Sequence, residues 1–150
     1  MRYYAVIDTN VLVSALLRWR SLPGAVVTEA LEGRITPLLE PEIMREYRAV
    51  LARPKFHFPV DAVEAVLDGL VKRGLYLEGG PDPEEELPDP KDTVFYRVVL
   101  EARKTEGAYL VTGNLKHFPV KSFVVTPREM LEILGTDGEW AAENSEPPKN

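Results

Sequence analysis

Tyr3-Tyr4-Ala5-Val6-Ile7-Asp8-Thr9-Asn10-Val11-Leu12-Val13-Ser14-Ala15-Leu16-Leu17 is the stretch that decides how the chain folds. Tyr3 to Ile7 is a short apolar run without polar interruption, the pattern of a strand buried on both faces. Directly after it the period changes, and Val11, Leu12, Ala15 and Leu16 recur at helical spacing. Between the two lies Asp8-Thr9-Asn10, a polar triplet at the carboxyl end of a strand. Parallel α/β sheets hold their ligands at such ends.

The alternation continues along the chain. A helix is predicted from Leu22 to Glu32, with Pro23 in its first turn and Gly33 as its stop. Ile35 to Leu38 is a strand candidate weakened by Pro37. From Pro41 to Arg53, Ile43, Tyr47, Val50 and Leu51 form one apolar helical face, and Pro54 ends it. Val63, Val66, Leu67, Leu70 and Val71 mark another helix, closed by Gly74. Leu75 to Leu77 reads as an edge strand. A helix carrying Val94, Phe95, Val98, Val99 and Ala102 starts near Asp89-Pro90, and Ala108–Val111 and Phe123–Val125 read as strands. Thr126-Pro127-Arg128-Glu129 supplies N-cap, N1 and N3 residues for a last helix that Gly135 stops. Strands alternating with helices predict an α/β fold with a mostly parallel sheet covered on both faces.

The 150 residues correspond to about one domain. The absence of cysteine excludes disulfides, thiolate zinc sites and thiol catalysis. No apolar run approaches the ~20 residues that cross a bilayer. The start opens straight into a strand without a signal-peptide pattern. A soluble, cytoplasmic protein with no membrane partner is expected. Gly79 to Pro90, with four prolines and five acids, reads as a solvated loop. The domain is expected to span residues 1–135, followed by a polar, flexible tail at 136–150 in which Trp140 is the one sticky point. Eighteen Lys and Arg against 24 Asp and Glu give a net charge of −6. A partner bound mainly through counterion release calls for a basic excess, so the charge alone argues against nucleic acid.

The placement of the acids argues otherwise. Asp8-Thr9-Asn10 follows the first strand, and Thr112-Gly113-Asn114 follows the strand at 108–111. Both triplets open into one crevice if those strands are neighbours. Asp92 precedes Phe95, Tyr96 and Val99 at helical spacing, which turns its carboxylate inward. Glu46 lies on the flank of the apolar face around Ile43 and Val50. Inward carboxylates are costly unless paired or bound to a cation, and three converging acids suit Mg²⁺ or Mn²⁺, which favour oxygen ligands. Each acid also has a structural alternative. Asp8 can cap the following helix, Asp89 reads first as an N-cap with Pro90 at N1, and Glu46 alone is an ordinary surface acid.

Taken together, Val6 to Leu17, Glu46 to Phe56, Asp89-Pro90-Lys91-Asp92 and Ala108 to Asn114 resemble, in order and spacing, the four motifs of PIN-domain proteins, the fold of VapC-like toxin ribonucleases. The resemblance extends from about residue 3 to 134. It implies a three-layer α/β/α sandwich with a mostly parallel five-stranded sheet, and an acid cluster holding Mg²⁺ or Mn²⁺. It further implies cleavage of single-stranded RNA, a cognate antitoxin and a homodimer. Asp8, Glu46 and Asp92 match the family's core acids, Asp89 a frequent auxiliary acid, and Thr112 a polar residue near the metal. Asn114 departs from the pattern, because many members carry Asp there; its amide brings no charge to a second metal position.

A metal-dependent endoribonuclease follows from the resemblance. Asp8 and Asp92 are its expected principal ligands, Glu46 a ligand or water-orienting base, and Asn114 and Asp89 supporting contacts. The alternative is a PIN-like RNA- or protein-binding module with little catalysis, favoured by Asn114 and the acidic balance. A phosphatase of the haloacid dehalogenase type fits worse, since it needs Asp at position 10, where Asn10 stands. Arg18-Trp19-Arg20 offers charge beside an aromatic surface, although packing of Trp19 under a loop is preferred. Lys116 and His117 follow Asn114 and are in place to meet phosphates near the crevice, although a loop residue facing solvent is the preferred reading of each.

Overall fold

The structure is a computed structural model that describes residues 2–135. Five strands, β1 (Tyr3–Ile7), β2 (Ile35–Leu39), β3 (Leu75–Tyr76), β4 (Ala108–Val111) and β5 (Val124–Val125), pair in parallel in the order β3-β2-β1-β4-β5. Six helices connect and flank them: α1 (Thr9–Leu17), α2 (Leu22–Glu32), α3 (Pro41–Leu51), α4 (Val60–Arg73), α5 (Thr93–Ala102) and α6 (Pro127–Leu134). Single 3₁₀ turns lie at Pro54–Phe56, Pro90–Asp92 and Leu115–His117.

Central β1 shows why the sheet has helices on both faces. Successive strand residues point to opposite sides, yet Ala5, Val6 and Ile7 are all at most 1% exposed. Burying each such aliphatic side chain contributes about 1.5–3 kcal/mol. Helix α5 packs over β1, β2 and β4, and α2 lies on β2 beside α1, α4 and α6. The result is a three-layer α/β/α sandwich.

Local chemistry sets the boundaries. Ser21 caps α2 by accepting from the Gly24 amide, and Thr126 and Glu129 close a reciprocal capping box on α6. Pro37 is tolerated inside β2 because its carbonyl, and hence its missing N–H, faces Gly74 on the β3 side. Pairing with β3 begins only at Leu38 beside Leu75, so no ladder bond is lost. Gly74 closes α4 without the left-handed turn expected of a stop glycine: its backbone is extended. Glycine is needed there for space, since a Cβ would stand 2.6 Å from both Leu39 Cδ1 and the Leu70 carbonyl. The tail at 136–150, with Trp140, lies outside the described residues. Among the described residues, no helix is long and apolar enough to cross a membrane.

The topology fixes where a site can form. From β1 the chain moves to β2 and β3 on one side, then returns past β1 to β4 and β5 on the other. A crevice therefore opens beyond the carboxyl ends of β1 and β4. Their register pairs Ile7 with Val111, which sets Asp8 directly beside Thr112.

One glycine holds the α1–α2 corner together. The Trp19 carbonyl passes so close to Gly24 that a Cβ would sit 1.8 Å from it. Gly24→Ala is expected to displace the corner and destabilise the domain by about 1–3 kcal/mol, read as a lowered denaturation midpoint in urea. A midpoint equal to that of the unaltered protein would show that the corner is not tightly packed.

Candidate active site

Asp8, Glu46, Asp89 and Asp92 line one cleft of about 330 Å³ at the switch point, together with Thr9, Asn10 and His117. Four elements deliver them. Asp8 occupies the N-cap position of α1, but its side chain makes no capping bond. Its Oδ2 instead accepts from the Thr112 hydroxyl at 2.8 Å and from Asn10 Nδ2 at 3.0 Å. Asn10 Oδ1 accepts from the Gly113 amide at 3.0 Å, and the Asn114 amide donates to Thr112 Oγ1 at 3.0 Å. The two polar triplets thus form one network across β1 and β4, and it leaves Asp8 Oδ1 without a side-chain partner. Asn10 and Thr112 act by holding Asp8; Thr112 is fully buried and does not line the cleft.

Glu46 is placed by its neighbour. The Tyr47 ring is buried against Phe95, and its hydroxyl donates to the carbonyl of Ile7, the residue before Asp8. That bond ties α3 to the end of β1 and leaves Glu46 half-buried on the cleft flank. Burial, with Asp8 adding to it, pushes the Tyr47 hydroxyl up. Asp89 accepts from the Lys91 amide at 3.0 Å as the cap of the 3₁₀ turn that carries Asp92. Its capping role therefore coexists with a place in the cleft.

The remaining sequence candidates are placed differently from one another. Asn114 does not line the cleft; its Nδ2 meets His117 Nε2 at 3.0 Å. His117, expected in solvent, turns into the cleft with Nδ1 3.4 Å from Asp92 Oδ2. A hydrogen-bonded Leu115–His117 turn re-aims the ring, and no periodicity in the sequence signals that turn. Lys116 is exposed. Trp19, expected under a loop, is 42% exposed because the corner closes through its backbone and leaves the ring outside. The cleft also contains Arg53, Phe56 and Lys91, which sequence reading passed over as functional residues. The signal available for Arg53 and Phe56 was their position seven and ten residues after Glu46.

Carboxylates brought together without compensation raise one another's pKa. Asp8 is raised, chiefly by burial and further by Glu46, against the opposing bonds from Thr112 and Thr9 and the attraction of His117. Asp92 is pushed up to about 6 by burial, then by Asp8 and Asp89, with His117 opposing and Glu46 adding. Two buried oxygens on the cleft wall, Asp92 Oδ2 and Thr9 Oγ1, have no hydrogen-bond partner among the described residues. No three or more His, Asp or Glu among the described residues are grouped tightly enough to enclose an ion. Mg²⁺ commonly keeps several waters and takes only one or two carboxylates. Buried Asp8 and half-buried Asp92, whose Oδ2 lacks a hydrogen bond, fit that mode, and Glu46 and Asp89 line the same cleft.

The sequence matches the PIN domain over residues 4–116. The chain belongs to the PIN domain family. PIN domains are generally nucleases that use divalent metal ions. Among solved structures this PIN domain is similar to the crystal structure of PAE2754 from Pyrobaculum aerophilum, at 17% identity and a TM-score of 0.50. The likeness covers 90% of each chain and bears on the fold. No curated protein matches the chain.

The crowding of acids predicts a pH-dependent cost. An acid whose pKa is raised by folding holds its proton more tightly in the folded state. Its contribution to stability is therefore full below pH ~4 and is lost as pH rises through about 6. In EDTA, Asp92→Asn is expected to melt higher than the unaltered protein above pH 6, by on the order of 1–3 kcal/mol of stability. The gain should shrink toward pH 4. Thermal melts across that range check it, and a pH-independent difference would contradict the crowding.

Proposed function

We propose that this PIN domain is a metal-dependent endoribonuclease that hydrolyses phosphodiester bonds of single-stranded RNA, as the toxin of a toxin–antitoxin pair. The observation that carries the reading is the convergence of Asp8, Glu46, Asp89 and Asp92 on one cleft at the β1–β4 switch point, where Asp92 Oδ2 accepts no hydrogen bond from the described residues and meets only His117 Nδ1 at 3.4 Å. When bound by Asp8 and Asp92, Mg²⁺ or Mn²⁺ supplies positive charge against the phosphate and lowers the pKa of a bound water.

The chain's own groups supply position and proton handling. Thr112 and Asn10 hold Asp8 Oδ2, which fixes the carboxylate's orientation before substrate arrives. The Asp89 cap holds the turn on which Asp92 is presented. Glu46, fixed through the Tyr47 anchor, accepts the proton of the attacking water at its carboxylate. The water oxygen bonds to phosphorus, the opposite P–O bond breaks, and the departing alkoxide takes up a proton from solvent water to become a hydroxyl. Asn114 belongs to the wall behind His117, where it steadies that ring. A cognate antitoxin and a second copy of the chain are the protein partners that this reading brings with it.

Cleavage of a labelled single-stranded RNA in Mg²⁺ or Mn²⁺ tests the proposal. EDTA should abolish it, and Asp8→Asn should lower kcat by at least about 100-fold. Circular dichroism should show the variant still folded. Full activity in Asp8→Asn would sink the site assignment. An unaltered protein that binds RNA yet cuts none with any divalent ion would favour the binding-module reading.

A further inference from the structure

The cleft is not acidic all round. Arg53 and Lys91 line it beside the carboxylates, and neither side chain has an ion-pair partner among the described residues. Some cations elsewhere are matched to acids, Arg48 to Glu64, Arg97 to Asp82 and Lys121 to Glu85. What sets Arg53 and Lys91 apart is their place: both are exposed cations on the lining of the acidic cleft, free to meet an anionic group there.

The same lining holds an aromatic ring, Phe56. Phe56 ends the 3₁₀ turn at Pro54–Phe56 and is followed by His57 at φ +53°, the one non-glycine with positive φ among the described residues. A β-carbon disfavours that conformation, and it persists only where its surroundings impose it. The turn brings Phe58 onto Phe56, with ring centroids 5.2 Å apart and planes 11° from parallel. Lys55 sets its ammonium 5.1 Å from the Phe56 centroid. Phe56 is thus a stiffened, half-buried ring that faces the cleft with cations about it. Arg53 also lines an adjoining apolar groove of about 480 Å³ that contains His57 and Phe58, so the surface is continuous from the carboxylates outward.

We propose that Phe56 is a stacking platform for the nucleobase next to the scissile bond, with Arg53 and Lys91 on the flanking phosphates. A polar, cation-lined track with an exposed aromatic face is how single strands are held without base pairing. The proposal deepens the ribonuclease reading and rests on it. It makes the enzyme selective for unpaired RNA, because a base inside a duplex cannot present its face to the ring. Phe58, stacked on Phe56, backs that ring from the adjoining groove.

The test is a kinetic coupling experiment with the full chain in Mg²⁺ or Mn²⁺. A labelled RNA oligonucleotide with a single abasic nucleotide is moved stepwise across the cut site. For the unaltered protein, one position beside the cut should raise KM about 10-fold or more while kcat changes little. Phe56→Leu, which keeps an apolar side chain, should raise KM for the intact RNA to a similar degree. It should also be insensitive to the abasic nucleotide at that position. Arg53→Gln should raise KM equally for intact and abasic RNA and flatten the salt dependence. If cleavage proceeds and Phe56→Leu shows the same KM and abasic profile as the unaltered protein, the platform is refuted and the ribonuclease reading stands. If no RNA is cut by the unaltered protein, both fall.

Discussion

Parallel pairing of β1 with β4 is the constraint on which the site depends. The register sets Ile7 beside Val111, and the next residue of each strand is the first that the sheet no longer covers. Asp8 and Thr112 therefore meet at 2.8 Å although they are 104 positions apart in sequence. Asn10 and the Gly113 amide close the same network from either side. A slip of one residue in that pairing would turn every side chain of the strand to the opposite face. Because both faces of β1 are apolar and covered, what a slip would cost is the Asp8 site, whose carboxylate would lose Thr112 and Asn10. Core packing and site geometry are the same fact seen from two ends of one strand.

Net charge proved a coarse guide to partner. A charge of −6 opposes binding driven by the phosphate backbone, and that remains true of the surface as a whole. The acids that matter are not on that surface: Asp8 is 4% exposed, and the Asp92 side chain 15%. Burial raises the pKa of both, with Glu46 adding to it for Asp8 and Asp8 and Asp89 adding to it for Asp92. Groups in that condition create demand for a cation, and Arg53 and Lys91 at the margin are too far from the acids to meet it with an ion pair. The fold thus keeps a cleft that is short of positive charge at its floor and richer in it at its edge.

Much of the architecture was legible because it is local. The change of period at Asp8 marks the end of β1 and the start of α1. Pro23 and Gly33 bound α2, and Thr126 with Glu129 announces α6; each signal acts within a few residues of itself. Pro37 misled toward a weak strand because the side on which its missing N–H falls depends on where β3 begins, which is a matter of pairing. Gly74 closes α4 as its position suggests, but the space that requires glycine there is set by Leu39, on another element. Trp19 stays outside and half-exposed His117 turns toward the cleft for the same kind of reason.

By itself the sequence determined the α/β alternation, the helix limits and the four acids at strand and helix ends, since spacing and capping chemistry are written in neighbouring residues. Only the tertiary structure decided that Asn114 stands behind His117 while Arg53, Phe56 and Lys91 enter the cleft. It also decided that Tyr47, an apolar-face residue by its period, ties α3 to β1 through its hydroxyl. Those outcomes depend on which strands are adjacent and how a short turn aims a ring. They arise from packing between residues distant in the chain, which local periodicity does not encode.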